Sequence, residues 1–91
     1  MQKFSSVDEL VNDIKPVDPI YCIRPNSIKT ACGWFKSNFP GKILYAVKTN
    51  PNEKVIKCIG ANGINRFDVA SINEIKLIKK IFPKSRIYYM N

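Results

Sequence analysis

Ile43-Leu44-Tyr45-Ala46-Val47-Lys48-Thr49-Asn50-Pro51 decides how this chain folds. Its opening apolar run, Ile43 to Val47, has no polar alternation and ends in an Asn-Pro turn signal. That is the pattern of a strand buried on both faces, as in parallel sheets. Downstream, Pro51 or Asn52 starts a helix whose apolar positions are Val55, Ile56 and Ile59, closing near Asn62-Gly63. Phe67-Asp68-Val69-Ala70 reads as a short strand. Ser71-Ile72-Asn73-Glu74 is an S-x-x-E capping box, and the helix behind it buries Ile75, Ile78, Ile81 and Phe82 before Pro83. Arg86-Ile87-Tyr88-Tyr89-Met90 is the last strand. The order is therefore β-α-β-α-β, which implies parallel strands joined by right-handed crossovers.

Upstream of Ile43 the pattern differs. Val7, Leu10, Val11 and Ile14 lie on one helical face behind a second capping box, Ser6 and Glu9, and Pro16 and Pro19 end that helix. Pro19 to Arg24 is β-branched and aromatic, and is expected to be a strand. Pro25-Asn26-Ser27 opens a helix with Ile28, Ala31, Cys32, Phe35 and Phe39 on its apolar face, stopped by Pro40-Gly41. Residues 1–41 form a helix-strand-helix lead-in and residues 42–91 the βαβαβ part. A parallel array of this kind needs helices on both faces or closure into a barrel, and a closed (β/α)8 barrel takes roughly 250 residues. The 91 residues supply three of its strands, so the sequence reads as an incomplete fold.

Composition narrows the function classes. Lys+Arg number 15 and Asp+Glu 7, a net charge of +8. The lysines are scattered, Lys79-Lys80 being the only adjacent basic pair, and Lys, Asn and Ile dominate as codon bias in an AT-rich genome produces. A nucleic-acid surface concentrates its basic residues on one element. Histidine is absent, which excludes Cys2His2 zinc sites and a Ser-His-Asp triad within the chain. Cys22, Cys32 and Cys58 form no C-x-x-C pair, so no metal site is expected. They read as reduced, buried, small apolar residues of a cytoplasmic protein. No apolar run approaches the roughly 20 residues of a membrane span, and Met1 to Ser6 is too polar for a secretory signal.

Lys48 carries the chemistry. It follows the apolar run and precedes the turn, so it sits at the C-terminal end of a buried parallel strand, the end at which α/β proteins bind ligands. In a dry pocket the ammonium is disfavoured, and the neutral amine can condense with a carbonyl. The alternative is a lysine that snorkels from the strand end into water.

Tyr45-Ala46-Val47-Lys48-x-Asn50-Pro51, followed by Phe67-Asp68-Val69-Ala70-Ser71-x-x-Glu74, resembles the pyridoxal-phosphate-dependent ornithine, lysine and diaminopimelate decarboxylases of the alanine-racemase-like barrel group. Pro19-Ile20-Tyr21-Cys22-Ile23-Arg24-Pro25, and Trp34-Phe35 with Phe39-Pro40-Gly41, look most like the bacterial ornithine/lysine branch. Tyr88-Tyr89-Met90-Asn91 matches the family's third barrel strand, so the resemblance runs from about Pro19 to Asn91. Alanine racemase itself is a poorer match, because the Tyr-Gly-bearing loop that follows its lysine is missing.

The resemblance implies an α/β fold: a partial (β/α)8 TIM-like barrel, about the first three strands, preceded by an N-terminal helix, strand and helix. It makes Lys48 the catalytic lysine that holds pyridoxal 5'-phosphate through the cofactor's aldehyde. Ala46, pointing the same way by strand alternation, lies against the cofactor, and Asp68 fixes the charges around it. Glu74 matches a glutamate near the active site, and the cap with Ser71 accounts for it equally well. The implied reaction converts L-ornithine or L-lysine to a diamine and CO2, in polyamine biosynthesis. The implied partners are a small amino-acid substrate, a second copy in a homodimer, and a complementing C-terminal chain, with neither nucleic acid nor membrane. The family's ring-stacking histidine, glycine-rich phosphate loop, acidic partner of the pyridine nitrogen and C-terminal β-domain have no match; the glycines are Gly33, Gly41, Gly60 and Gly63. An N-terminal fragment inactive without its remainder is the first expectation. A non-catalytic or regulatory relative is the second, and a small basic nucleic-acid-binding module the third.

Overall fold

A computed structural model describes residues 2–89. Met90 and Asn91, expected in the last strand, lie outside the described residues. The elements are α1 (Val7–Ile14), α2 (Pro25–Asn38), β1 (Tyr45–Ala46), a 3-10 turn (Val47–Thr49), α3 (Glu53–Ala61), β2 (Arg66–Val69), α4 (Ile72–Ile81) and β3 (Arg86–Tyr89). From β1 onward this is the expected βαβαβ order. The strands form one parallel sheet in the order β1-β2-β3. Each strand is laid beside its predecessor, with no reversal of direction across the sheet.

Local chemistry sets the element ends. Asn52, rather than Pro51, caps α3, its side chain accepting the Lys54 N–H. Ser71 caps α4 by accepting the Glu74 N–H. α3 closes through Gly63 at φ +95°, a conformation that costs a β-carbon-bearing residue more than glycine. The helix α1 has the expected cap, Ser6 accepting the Glu9 N–H at 3.1 Å. The Glu9 carboxylate, however, turns to the backbone N–H and hydroxyl of Ser5 instead of completing the box at Ser6.

The core lies on one side of the sheet. β2 alternates half-buried Arg66, buried Phe67, half-buried Asp68 and buried Val69. Phe67 and Val69 meet Val55, Ile56 and Ile59 of α3, Ile78 of α4, Val47, Ile64 and Cys32 in one apolar cluster. Phe67, Ile56, Ile78, Val47 and Val69 are fully enclosed. Each contributes about 1.5–3 kcal/mol of burial. Phe82 stacks on Phe67 with centroids 5.9 Å apart and closes the base of the cluster.

Several expectations are corrected. Pro19 to Arg24 is not a strand. Extended chain becomes a strand only against a hydrogen-bonding neighbour, and Pro19 and Pro25 remove donors at both ends. Tyr21 is fully exposed and only Ile23 reaches the core. The Ile43–Val47 run forms just the two-residue β1, because only Tyr45 and Ala46 pair with β2 before the chain turns into the 3-10 helix at Val47. Phe35 and Phe39 of the α2 region are half exposed, since α2 meets α3 through its Cys32 and Ile28 side and Phe35 packs edge-on against Trp34 instead. Cys22 is exposed, within the segment that failed to pair, while Cys32 is buried and Cys58 half-buried. No residue of α1 is buried, so its apolar stripe of Val7, Val11 and Ile14 stays uncovered.

Candidate active site

The C-terminal end of β1 is built from the opening motif. Tyr45 turns toward the helix side and packs on the core. Its hydroxyl donates to the Asn50 carbonyl at 2.9 Å, and burial pushes that phenol's pKa up, keeping it a neutral donor. The Asn50 side chain accepts the Asn52 N–H at 3.1 Å, and the Asn52 side chain accepts the Lys54 N–H at 2.9 Å. Val47 is fully buried. Lys48 is thus carried on a 3-10 turn fixed on one side by Val47 in the core and on the other by a braced Asn-Pro-Asn loop. The motif residues have physical jobs: tyrosine and the asparagines hold the loop that presents the lysine.

Ala46, Asp68 and Tyr88 form one row across the three strands. Ala46 is in register with Asp68, and Asp68 with Tyr88. All three are half-buried, and strand alternation places them on the face opposite Phe67 and Val69, which the helices do not cover. Among the described residues, no ion pair engages the Asp68 carboxylate. The sequence reading missed Tyr88, although period-two counting along three parallel strands would have found it.

Two expectations about Lys48 change. The strand ends at Ala46, so alternation does not extend to Lys48, and the side chain is exposed rather than enclosed. Lys48 lines neither the cavity among Gly60, Ile64, Ile81 and Phe82 nor that among Lys36, Lys42 and Arg66. The water-poor surroundings expected for this amine are therefore not supplied by the described residues. Glu74, left open between two roles, is engaged in its cap. Its carboxylate accepts the Ala70 N–H and the Ser71 hydroxyl, both at 3.1 Å, while its own N–H goes to Ser71 Oγ at 3.2 Å.

These residues fit part of a pyridoxal phosphate site. Lys48 supplies an accessible amine for an aldehyde, Asp68 an unpaired carboxylate in the neighbouring strand, and Ala46 a small side chain that leaves space before the sheet. A phosphate cradle is missing among the described residues. Helix N-termini bind phosphate through free amides, but α3 is capped by Asn52 and α4 by Ser71, with Glu74 closing the turn before it.

Residues 25–91 match the family model described as pyridoxal-dependent decarboxylase, pyridoxal binding domain. The match begins at the first residue of α2 and runs through all three strands. The cofactor of that domain is pyridoxal phosphate. No curated protein and no solved structure matches the chain with significance. Among the described residues, no helix is long and apolar enough to cross a membrane.

Proposed function

The chain belongs to the pyridoxal-dependent decarboxylase family, and on that premise we propose that it is the N-terminal, lysine-bearing part of an enzyme that decarboxylates L-ornithine or L-lysine to a diamine. The observation that carries the reading is the placement of Lys48 at the end of β1, beside the Ala46–Asp68–Tyr88 row on the uncovered sheet face. That face would form the interior of a (β/α)8 barrel once further strands extend the β1-β2-β3 order. The β1-β2-β3 order is compatible with this winding, and the resemblance to the barrel decarboxylases is what supports it.

Pyridoxal phosphate, when bound, supplies the electron sink that makes loss of CO2 feasible. The residues of this chain do the rest of their share by position. Lys48 would hold the cofactor through its amine, within reach of the open face from which a substrate's α-amine would approach. Asp68 balances positive charge beside it. Ala46 keeps the face clear, and Tyr45 with Asn50 stops the lysine-bearing turn from swinging. Water is excluded only when the open face is covered, so activity requires further strands and, as family resemblance suggests, a second subunit. Discrimination between ornithine, lysine and diaminopimelate belongs to segments beyond these three strands. A cytoplasmic place in polyamine synthesis is part of the same reading.

The exposure of Lys48 is the observation that favours the alternative, a non-catalytic member of the family. Absorbance separates the two. Titrating the full chain with pyridoxal phosphate should raise a band characteristic of the lysine-bound cofactor, weakly but saturably, and Lys48→Ala should abolish it. Equal spectra for both proteins would remove the assigned role of Lys48.

A further inference from the structure

We propose a second anion site, for a phosphate group, at the N-terminal end of the sheet, away from Lys48. A cavity of about 350 Å³ opens there between the end of α2, the segment entering β1 and the segment entering β2. Lys36, Lys42 and Arg66 line it together with Gly63 and Asn65, and none of its lining residues is acidic. Arg66 is distant in sequence from Lys36 and Lys42 and is brought to them only by the fold.

Three features set this end apart from an ordinary solvated surface. The Nε of Arg66 is buried and has no hydrogen-bond partner, an expensive state for a charged donor unless a ligand supplies the acceptor. Arg66 also lies in register with Arg86 on the neighbouring strand, a like-charged pair that destabilises a sheet unless an anion lies between or beside them. Finally, Gly63 lets a lysine in. A β-carbon there would stand 2.5 Å from Lys36 Nζ, which instead reaches across to donate to the Asn62 carbonyl at 3.1 Å.

The ion pairs among the described residues leave these cations free. Both involve Glu53, with Lys57 and Lys80. Asp68 lies two residues along β2 on the same face as Arg66 but makes no ion pair among the described residues, and Glu74, beyond the strand, is engaged in the α4 cap. A guanidinium with flanking ammonium groups in a small cavity suits a compact oxyanion with several acceptor oxygens, which a phosphate group provides.

The test is a titration of the full chain with inorganic phosphate, at ionic strength held constant with sodium chloride, followed by amide and arginine side-chain NMR. Saturable shifts are expected at Gly63, Asn65 and the Arg66 Nε–H. Arg66→Gln should weaken binding at least about tenfold, the loss of one charge-assisted hydrogen bond. Lys42→Gln, at an exposed position that folding does not depend on, should weaken it as well. Lys48→Ala should leave it unchanged, so that failure of this site and failure of the pyridoxal reading are told apart. Shifts that stay linear or match those of chloride alone would overturn the proposal. So would loss of binding in Lys48→Ala, or tighter binding of poly-glutamate or duplex DNA at these same residues.

Discussion

Glu74 offers the sharpest separation of a structural from a catalytic role. If its carboxylate serves the cap, Glu74→Ala removes acceptors from the Ala70 N–H and the Ser71 hydroxyl. Each hydrogen bond is worth about 0.5–1.5 kcal/mol net. The first-turn charge adds about 0.3–1 kcal/mol through the helix dipole, and alanine returns a few tenths through its higher helix propensity. The expected net loss is about 1–3.5 kcal/mol. Ser71→Ala should cost about 1 kcal/mol. In a domain of this size 1 kcal/mol moves the melting midpoint by about 4–8 °C, so both variants are readable by thermal circular dichroism. The double variant should fall short of the sum by about 0.5 kcal/mol or more, because the two side chains share one hydrogen bond. Glu74→Gln, which keeps an acceptor oxygen, should recover much of the loss. Strict additivity, or an unchanged melt for Glu74→Ala alongside an altered cofactor spectrum, would refute the capping argument and return Glu74 to the active site.

Two further outcomes test the packing and the charge state. Gly60→Ala places a β-carbon against the edge of the Phe82 ring, in clash with Cζ and 2.5 Å from Cε2. Phe82 is stacked on fully buried Phe67 and cannot retreat in that direction, so overpacking of about 1–3 kcal/mol outweighs the ~1 kcal/mol gain in helix propensity. Urea denaturation should report destabilisation, relieved by adding Phe82→Leu; a stabilised Gly60→Ala would contradict the packing. Burial raises the Cys32 thiol above its ordinary 9.0 and the Tyr45 phenol above its ordinary 10.0. The unfolded chain therefore releases these protons first, and stability is full below about pH 9 and falls as pH rises through the raised values. In Tyr45→Phe the fall should keep only its cysteine part, and an undiminished fall would exclude Tyr45 as a cause.

Much of the architecture can be read from the chain because local signals and burial agree. Ser71 before Ile75 and Ile78, and Asn52 before Val55, Ile56 and Ile59, set caps and apolar faces together, and both helices lie where the pattern puts them. The Pro19–Arg24 segment has strand composition without a partner, and composition cannot say whether a neighbour exists. β1 is shorter than its apolar run because the chain leaves extended geometry at Val47, a turn that an unbroken apolar run does not announce. The apolar stripe of α1 was legible as a helix but not as an uncovered one, because periodicity reports the face and not what meets it. At the candidate site, Lys48, Ala46 and Asp68 could be placed at one end of the sheet from strand order. The exposure of Lys48 could not, since it depends on the chain leaving extended geometry after Ala46. The cluster of Lys36, Lys42 and Arg66 was invisible for a further reason: packing the α2–β1 connection against the start of β2 brings two separate segments together.

The central claim is that Lys48 is the amine that takes the cofactor. Borohydride reduction of the full chain in the presence of pyridoxal phosphate, followed by peptide mapping, tests it directly. The account predicts that the pyridoxyl mass falls on the peptide containing Lys48 ahead of every other lysine, at limiting cofactor. Labelling spread evenly over the lysines, or concentrated on any other one, would contradict it.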